Sequence, residues 1–345
     1  MKKVVVGISG GVDSSVAAVL LKEQGYEVIG VTFLFTDDFD SSDAVSVCEK
    51  LNIEHHILDY REIFKREVID KFIEDYNRGI TPNPCILCNR FLKFNFLYDA
   101  MKKYGADYFA TGHYAKSENG RLYKGFDKNK DQSYFLCNIT KEQLEHVLFV
   151  LDGIDKETVR NIALENNLIN ANKKDSTDIC FITSNFRDYM KTKIKSLSGD
   201  IIDVETGSKV GNHEGLNYYT IGQRRGLNVG GNEKRMYVVG KDIEKNILYI
   251  ACGDDNKYLI SNSCVLENVN LFGEFKESCK AKFRYRQEEV PVTLKWIDND
   301  HLEVFYDDVK AVTPGQACAF YFEDECLGGG IIKEVKKNNQ KLWYL

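Results

Sequence analysis

Three short stretches of this sequence hold residues whose types and spacing suit chemistry. Ser9-Gly10-Gly11-Val12-Asp13-Ser14-Ser15 follows the apolar run VVVGIS and opens a helical pattern. Glycines let a backbone come close to a ligand, and a helix N-terminus presents unpaired N–H groups that suit phosphate oxygens. Ser14 and Ser15 offer hydroxyl donors, while Asp13 is expected to cap the helix or hold a metal ion. The plain alternative is a glycine-rich turn with a serine cap. The stretch is neither a Walker A loop, having no Gly-Lys-Ser/Thr, nor a GxGxxG dinucleotide fingerprint. Thr81-Pro82-Asn83-Pro84-Cys85-Ile86-Leu87-Cys88-Asn89 is the second stretch. Its prolines predict a stiff loop with Cys88 just before a helix starting near Arg90, where the helix N-terminus would lower the thiol pKa. A structural zinc half-site is the alternative, but no second CxxC or CxxH pair exists to complete it. The third stretch, Lys174-Asp175-Ser176-Thr177-Asp178-Ile179-Cys180-Phe181-Ile182, carries a cysteine that its apolar surroundings favour as core.

The elements that must position these residues alternate over the first two hundred positions. Strands are expected at 4–9, 27–35, 54–60 and 107–113. Helices are expected at 12–25, 43–51, 61–77 and 90–104, with helical patterns from 141 to about 195. That order predicts an α/β domain with a doubly wound parallel sheet over 1–197. Beyond Gly199, short β-branched and aromatic runs lie between Gly, Asn and Asp turns: GLNYYTI, RMYVVGKDIEKNILYIA, KAKFRYR, VPVTLKWIDNDHLEVFY and ACAFYF. They predict a small β-rich domain over 198–258 and a β-barrel over 259–345.

The 345 residues carry 46 basic against 52 acidic side chains, a net charge of −6. No apolar run approaches the roughly 18–20 residues of a membrane span. MKKVVVGISGG has too short an apolar stretch for a signal peptide, so a cytoplasmic protein is expected. In a reducing compartment ten cysteines do not imply a disulfide framework. Cys48, Cys137, Cys252, Cys264, Cys279, Cys318 and Cys326 are expected to be buried and inert, which leaves Cys85, Cys88 and Cys180.

SGGVDSS resembles the PP-loop of ATP pyrophosphatases. With TPNPCILCNRFLKF, ATGHY, KDQSYFL, DSTDICFI, GLNYYTIGQRRGLNVGG, YVVGKD, RYRQ and TPGQACAFY…CLGGGII, all in order along the chain, the whole sequence resembles the tRNA-specific 2-thiouridylase (MnmA) family. The resemblance implies a PP-loop domain, a central β-rich domain and a C-terminal β-barrel. It implies ATP held by Gly7, Ile8, Ser9, Gly10, Gly11, Val12, Asp13 and Ser14, with Phe33 and Gly112 beside the adenosine and Mg²⁺ on the phosphates. Asn83, Pro84 and Cys85 match positions that meet the target base. Cys88 matches the nucleophile and Cys180 the persulfide carrier. His113, Lys130, Asp131, Gln132, Arg284, Tyr285 and Gln316 match positions that contact tRNA.

The reaction implied is adenylation and C2 thiolation of the wobble uridine in tRNAs for Lys, Glu and Gln, fed by a persulfide donor protein or cysteine desulfurase. Two positions depart from the pattern. Cys85 stands where the family usually has Asp, and Asp178 where it usually has Gly. Asp178 is expected to raise the pKa of Cys180. Cys85 opens a second route, in which Cys85, Cys88 and Cys180 ligate three irons of a 4Fe–4S cluster. RNA binding by an acidic chain needs uneven charge, and 186–195 and GQRRG with Arg224 and Arg225 are the basic candidates. A PP-loop ligase acting on a small metabolite and a non-catalytic RNA-binding relative are the other readings.

Overall fold

Residues 1–175, 179–182, 184–227, 229 and 235–344 are described by the structure, a computed structural model. Asp178 lies outside them.

The N-terminal layer is built on β1 (Lys3–Gly7), α1 (Val12–Glu23), β2 (Glu27–Leu34), α2 (Ser42–Leu51) and β3 (Glu54–Asp59). A long helix then runs through α3 (Arg61–Phe64), a π-helical stretch (Lys65–Asp70) and α4 (Lys71–Asn77). A second runs through α5 (Pro84–Cys88), a π-helical stretch (Asn89–Lys93) and α6 (Phe94–Lys103). Next come β4 (Tyr108–Thr111), a hairpin of β5 (Ala115–Glu118) and β6 (Arg121–Lys124), α7 (Ser133–Leu136), α8 (Lys141–His146), β7 (Val147–Phe149), α9 (Lys156–Glu165) and α10 (Phe186–Lys193).

The parallel sheet has the order β3-β2-β1-β4-β7. Val4, Val5 and Val6 are completely buried, because helices cover both faces, as parallel sheets require. Val4 and Val6 pack with Ala18, Leu21, Ala44 and Cys48, while Val5 faces Phe94 and Leu97. Strand order reverses between β1 and β4. Ligands of doubly wound folds settle outside the carboxyl ends of strands at such a switch point.

Two expectations for this domain change. β7 lies inside the segment expected to be helical. A three-residue apolar run fits either period, and its parallel pairing with β4 (Phe109↔Val147) decides the outcome. The second long helix begins at Pro84 rather than near Arg90. Proline at the first helical position has no N–H to lose and a φ already helical, so Pro84 starts the helix instead of extending the loop.

The central unit contains β8 (Gly199–Asp203), β9 (Lys209–His213), β10 (Met236–Asp242) and β11 (Ile247–Cys252) in the order β10-β11-β8-β9. GLNYYTI, expected to be strand-like, contains a 3-10 turn at Leu216–Tyr218 instead. Tyr218 and Tyr219 are buried, and the Arg187 guanidinium lies over both rings, so packing overrides their β preference.

The C-terminal unit is a closed six-stranded barrel of β12 (Ile260–Leu271), β13 (Ser278–Lys282), β14 (Val290–Trp296), β15 (Leu302–Lys310), β16 (Ala317–Phe322) and β17 (Glu325–Lys337). Antiparallel pairing of β12 with β17 closes it. The β5–β6 hairpin of the first domain extends the barrel sheet through β6 on β17. One core cluster joins Phe64, Phe72, Cys88 and Phe181 to Ile201, Val238 and Leu248 of the central unit. Another joins Phe94 and Phe109 to Ala317, Ala319 and Tyr321 of the barrel.

Candidate active site

The glycine-rich loop leaves β1 at the switch point and enters α1. Gly10 takes φ +75, a conformation disfavoured for side chains. The serines organise the loop internally: Ser14 Oγ and Ser15 Oγ each donate to the Gly11 carbonyl at 3.0 Å. Ser14 Oγ also accepts from Ser9 N at 3.2 Å. Both hydroxyl protons, expected to serve a ligand, are therefore engaged within the loop. Gly112 closes it from the end of β4. A Cβ there would lie 2.6 Å from Ser14 N and 2.7 Å from the Asp13 carbonyl carbon. Phe33, near the end of β2, is half-buried between Tyr60 and Phe96, whose rings stack at 3.8 Å.

Asp13 does not cap α1, whose N-cap is Gly11, with no side-chain cap bond. One of its two carboxylate oxygens is engaged by the protein. Its Oδ1 accepts from Lys156 Nζ at 2.6 Å and from Tyr114 Oη at 2.7 Å. Lys156 also meets Asp175 at 2.9 Å, and Asp175 in turn holds Lys130 at 2.6 Å and Arg160 at 2.8 Å. Burial alone would push the Asp175 carboxyl up; the bonds from Lys130 and Lys156 outweigh it and hold the pKa at about 2.

The thiols lie along the second long helix. Cys85 and Cys88 occupy its first turns, Cys85 half-buried and Cys88 buried. This reverses the expected effect of the helix terminus on Cys88: burial pushes its pKa up to about 12, with Lys93 opposing. Cys180 is exposed, contrary to the core position its apolar neighbours suggested. Phe181 takes the buried place instead, edge-on to Phe64 and Phe72. Cys180 acts on both Cys85 and Cys88, and all three thiols act on Lys93. Burial pulls the Lys93 ammonium down, but the three thiols outweigh that and raise it.

Lys93 sits in the π-helical stretch directly after Cys88 and also faces His113. Burial, with the Lys93 charge, lowers His113 to about 3, so its imidazole is neutral; its Nδ1 pairs with Thr111 Oγ1 at 2.9 Å. Among the described residues no three His, Cys, Asp or Glu side chains are gathered to hold a metal ion. Cys85, Cys88 and Cys180 therefore do not fit an iron–sulfur cluster in this arrangement.

The barrel holds the loop that leads into this helix. Gln316 Nε2 donates to the Thr81 carbonyl at 2.7 Å, and Thr81 N donates to the Pro314 carbonyl at 3.2 Å. Asn83 precedes the helix as its N-cap, and Pro84 is buried. Tyr285 packs on Phe135, ring centroids 4.5 Å apart. Three residues matched to tRNA contact have their polar groups turned to the protein. Arg284 donates to the carbonyls of Ala311 and Ile221. Asp131 is buried and accepts from Gly125 N, Ser133 N and Ser133 Oγ. Gln132 Oε1 accepts from Tyr114 N at 2.9 Å. Arg224 and Arg225 are exposed, whereas Arg187 and Lys191 of the other basic stretch pair with Glu214.

Sequence reasoning missed Lys93, Tyr114 and Lys156, and gave Asp175 no role. Lys93 stands five residues after Cys88, a spacing a π-helical stretch brings into line and an α-helix does not. Lys156 has no such signal, since it lies 143 positions from Asp13.

Similarity to known proteins agrees with this architecture. Residues 2–184 match the tRNA methyl transferase HUP domain, residues 187–252 the tRNA methyl transferase PRC-barrel domain and residues 261–332 the aminomethyltransferase beta-barrel domain. The tRNA-specific 2-thiouridylase MnmA of Mycoplasmopsis synoviae is 45% identical over 368 aligned positions, covering 100% of this chain and 99% of that protein. Its counterpart from Bacillus licheniformis is 46% identical, covering 99% and 98%. A solved 4-thiouridine synthetase–RNA complex with bound ATP overlaps only in part, with 21% identity, a TM-score of 0.36 and coverage of 52% of this chain and 45% of that one. The chain belongs to the tRNA-specific 2-thiouridylase MnmA family.

Proposed function

We propose that this protein is an ATP-dependent tRNA sulfurtransferase that replaces the C2 oxygen of the wobble uridine, at anticodon position 34, with sulfur. The observation that carries the reading is the family relationship over the whole chain, with Cys88 and Cys180 both present and within reach of each other's charge. The glycine loop and the start of α1 receive the phosphates of ATP, with Mg²⁺ entering on the nucleotide near Asp13. The C2 oxygen of the base attacks the α-phosphate, pyrophosphate leaves, and the oxygen becomes part of a good leaving group.

The terminal sulfur of a persulfide on Cys180 then attacks C2 and expels AMP. Cys88, as thiolate, attacks the Cys180 sulfur, so that the S–S bond to the transferred sulfur breaks and a Cys88–Cys180 disulfide forms. A cellular thiol reductant restores both cysteines. Exposure of Cys180 suits loading by a donor protein or cysteine desulfurase, while a buried, protonated Cys88 suits a thiol that acts only after the base is bound. The target base leaves the anticodon stack to reach the thiols, at the wall formed by Asn83, Pro84, Cys85 and the barrel loop of Gln316. The substrates are cytoplasmic tRNAs for Lys, Glu and Gln.

The test is incubation of unmodified tRNA with ATP and a persulfide source, followed by nucleoside mass spectrometry. 2-Thiouridine is expected with the wild type and is lost in Cys88→Ser and Cys180→Ser. Thiolation undiminished in both variants refutes the two-cysteine route, and no thiolated nucleoside with any tRNA refutes the activity.

A further inference from the structure

The glycine-rich loop has no lysine of its own, so it offers a triphosphate only backbone dipoles. It also places a carboxylate, Asp13, in the first turn of α1. A bare carboxylate there would repel the phosphates. The structure answers this from a distant part of the chain: Lys156, the first residue of α9, lies with its ammonium between Asp13 and Asp175. Its side chain is only 13% exposed, so the ammonium is held in one place. Two of its three donors are engaged, and the third has no partner among the described residues. Lys130 and Arg160 complete the group on Asp175. Asp127 Oδ2 accepts from Lys156 N at 3.4 Å, so three carboxylates face three cations and the group as a whole is close to neutral beside the loop. The segment leading to Asp175 wraps the same loop, since Asn170 Nδ2 donates to the Gly10 carbonyl at 3.0 Å and to Ser15 Oγ at 2.9 Å.

We propose that Lys156 is the phosphate-binding cation of this site, directing its remaining N–H to the terminal phosphates of a nucleoside triphosphate, and that Asp175 is the positioning residue that holds it there. This rests on the use of ATP proposed above. In the ground state the ammonium offsets part of the triphosphate charge. As the bond to the α-phosphate breaks, the same ammonium meets the negative charge that develops on the departing pyrophosphate.

The test compares binding of ATP and AMP to the full-length protein by calorimetry, with tRNA-dependent pyrophosphate release as the second readout. Lys156→Met is expected to weaken ATP by about tenfold or more, the size of one lost charge-assisted hydrogen bond, and to change AMP by less than about twofold. Lys156→Arg is expected to restore most of the ATP affinity. Asp175→Asn keeps the shape but loosens Lys156, so ATP binding is expected to weaken by less than in Lys156→Met, with AMP binding unchanged and kcat lowered by about tenfold. Equal weakening of ATP and AMP in Lys156→Met would make Lys156 structural and overturn the proposal, as would unchanged ATP binding. An unchanged kcat in Asp175→Asn overturns the positioning role. A wild type that binds neither nucleotide refutes the ATP reading itself, and a wild type that binds both while Lys156→Met is silent refutes only Lys156.

Discussion

Gly112 gives the sharpest test of how β4 supports the glycine loop. In Gly112→Ala the new Cβ meets Ser14 N at 2.6 Å, the Asp13 carbonyl carbon at 2.7 Å and the Asp13 oxygen at 2.9 Å. All three atoms are backbone, in the first turn of α1, so no side-chain rotation relieves the clash. Ordinary contact begins near 3.4 Å, so α1 and its loop must retreat by about 0.8 Å. Overpacking of this kind costs about 1–3 kcal/mol, which lowers Tm by several degrees in a domain of this size.

The functional effect is expected to be larger, because displacements near 1 Å of groups that orient a reaction cost about a hundredfold in rate. Pyrophosphate release should therefore fall by one to two orders of magnitude while the protein remains folded. Gly273→Ala is the control, since nothing lies within 4 Å of its Cβ position. Scanning calorimetry and pyrophosphate release on the two variants check the reasoning. If Gly112→Ala keeps its melting temperature within about 1 °C and its rate within about twofold, β4 does not press on the loop as described.

Lys93→Met removes the only cation that opposes the burial of Cys85 and Cys88 among the causes acting on them, so both thiol pKa values rise. Alkylation of Cys88 at pH 9, followed by peptide mass spectrometry, should slow by up to about tenfold per pKa unit gained, and an equal or faster rate would contradict the role given to Lys93. Cys48, Cys88 and Cys137 are raised by burial to about 12, against about 8.5 in an unfolded chain. Their contribution to stability is complete below pH 8.5 and is lost as pH rises toward 12, by about 1.4 kcal/mol per thiol per pH unit. The urea midpoint under reducing conditions should drop between pH 7.5 and 9.5 and drop less in Cys137→Ala; an unchanged wild-type midpoint is the contrary result.

Lys241 is buried where the three domains meet, with its ammonium on the Gly79 carbonyl, and burial lowers its pKa to about 7. Keeping it charged costs stability below pH 7, and the cost fades as pH rises toward 10.5. Lys241→Met should therefore raise Tm most at pH 6, and a lower Tm there would show that the hydrogen bond to Gly79 outweighs desolvation.

Much of this protein is written locally. The run from Val4 to Ser15 specifies strand, glycine turn and helix through β-branched residues, a glycine that accepts positive φ and an apolar helical face, all within twelve positions. The three-domain order is equally legible, since hydrophobic period and turn residues change character near Gly199. Local signals fail where burial and pairing decide. Cys88 reads as a thiol at a helix start, yet Pro84 begins the helix four residues earlier and the neighbouring core covers the sulfur. Cys180 reads as core, yet Phe181 claims the buried place and leaves the thiol exposed. β7 becomes a strand only because β4 offers it an edge. The charges around the glycine loop are the clearest case. Nothing near Asp13 in sequence marks Lys156, and electrostatic energy depends on distance through space, which the chain settles only when α9 packs against α1.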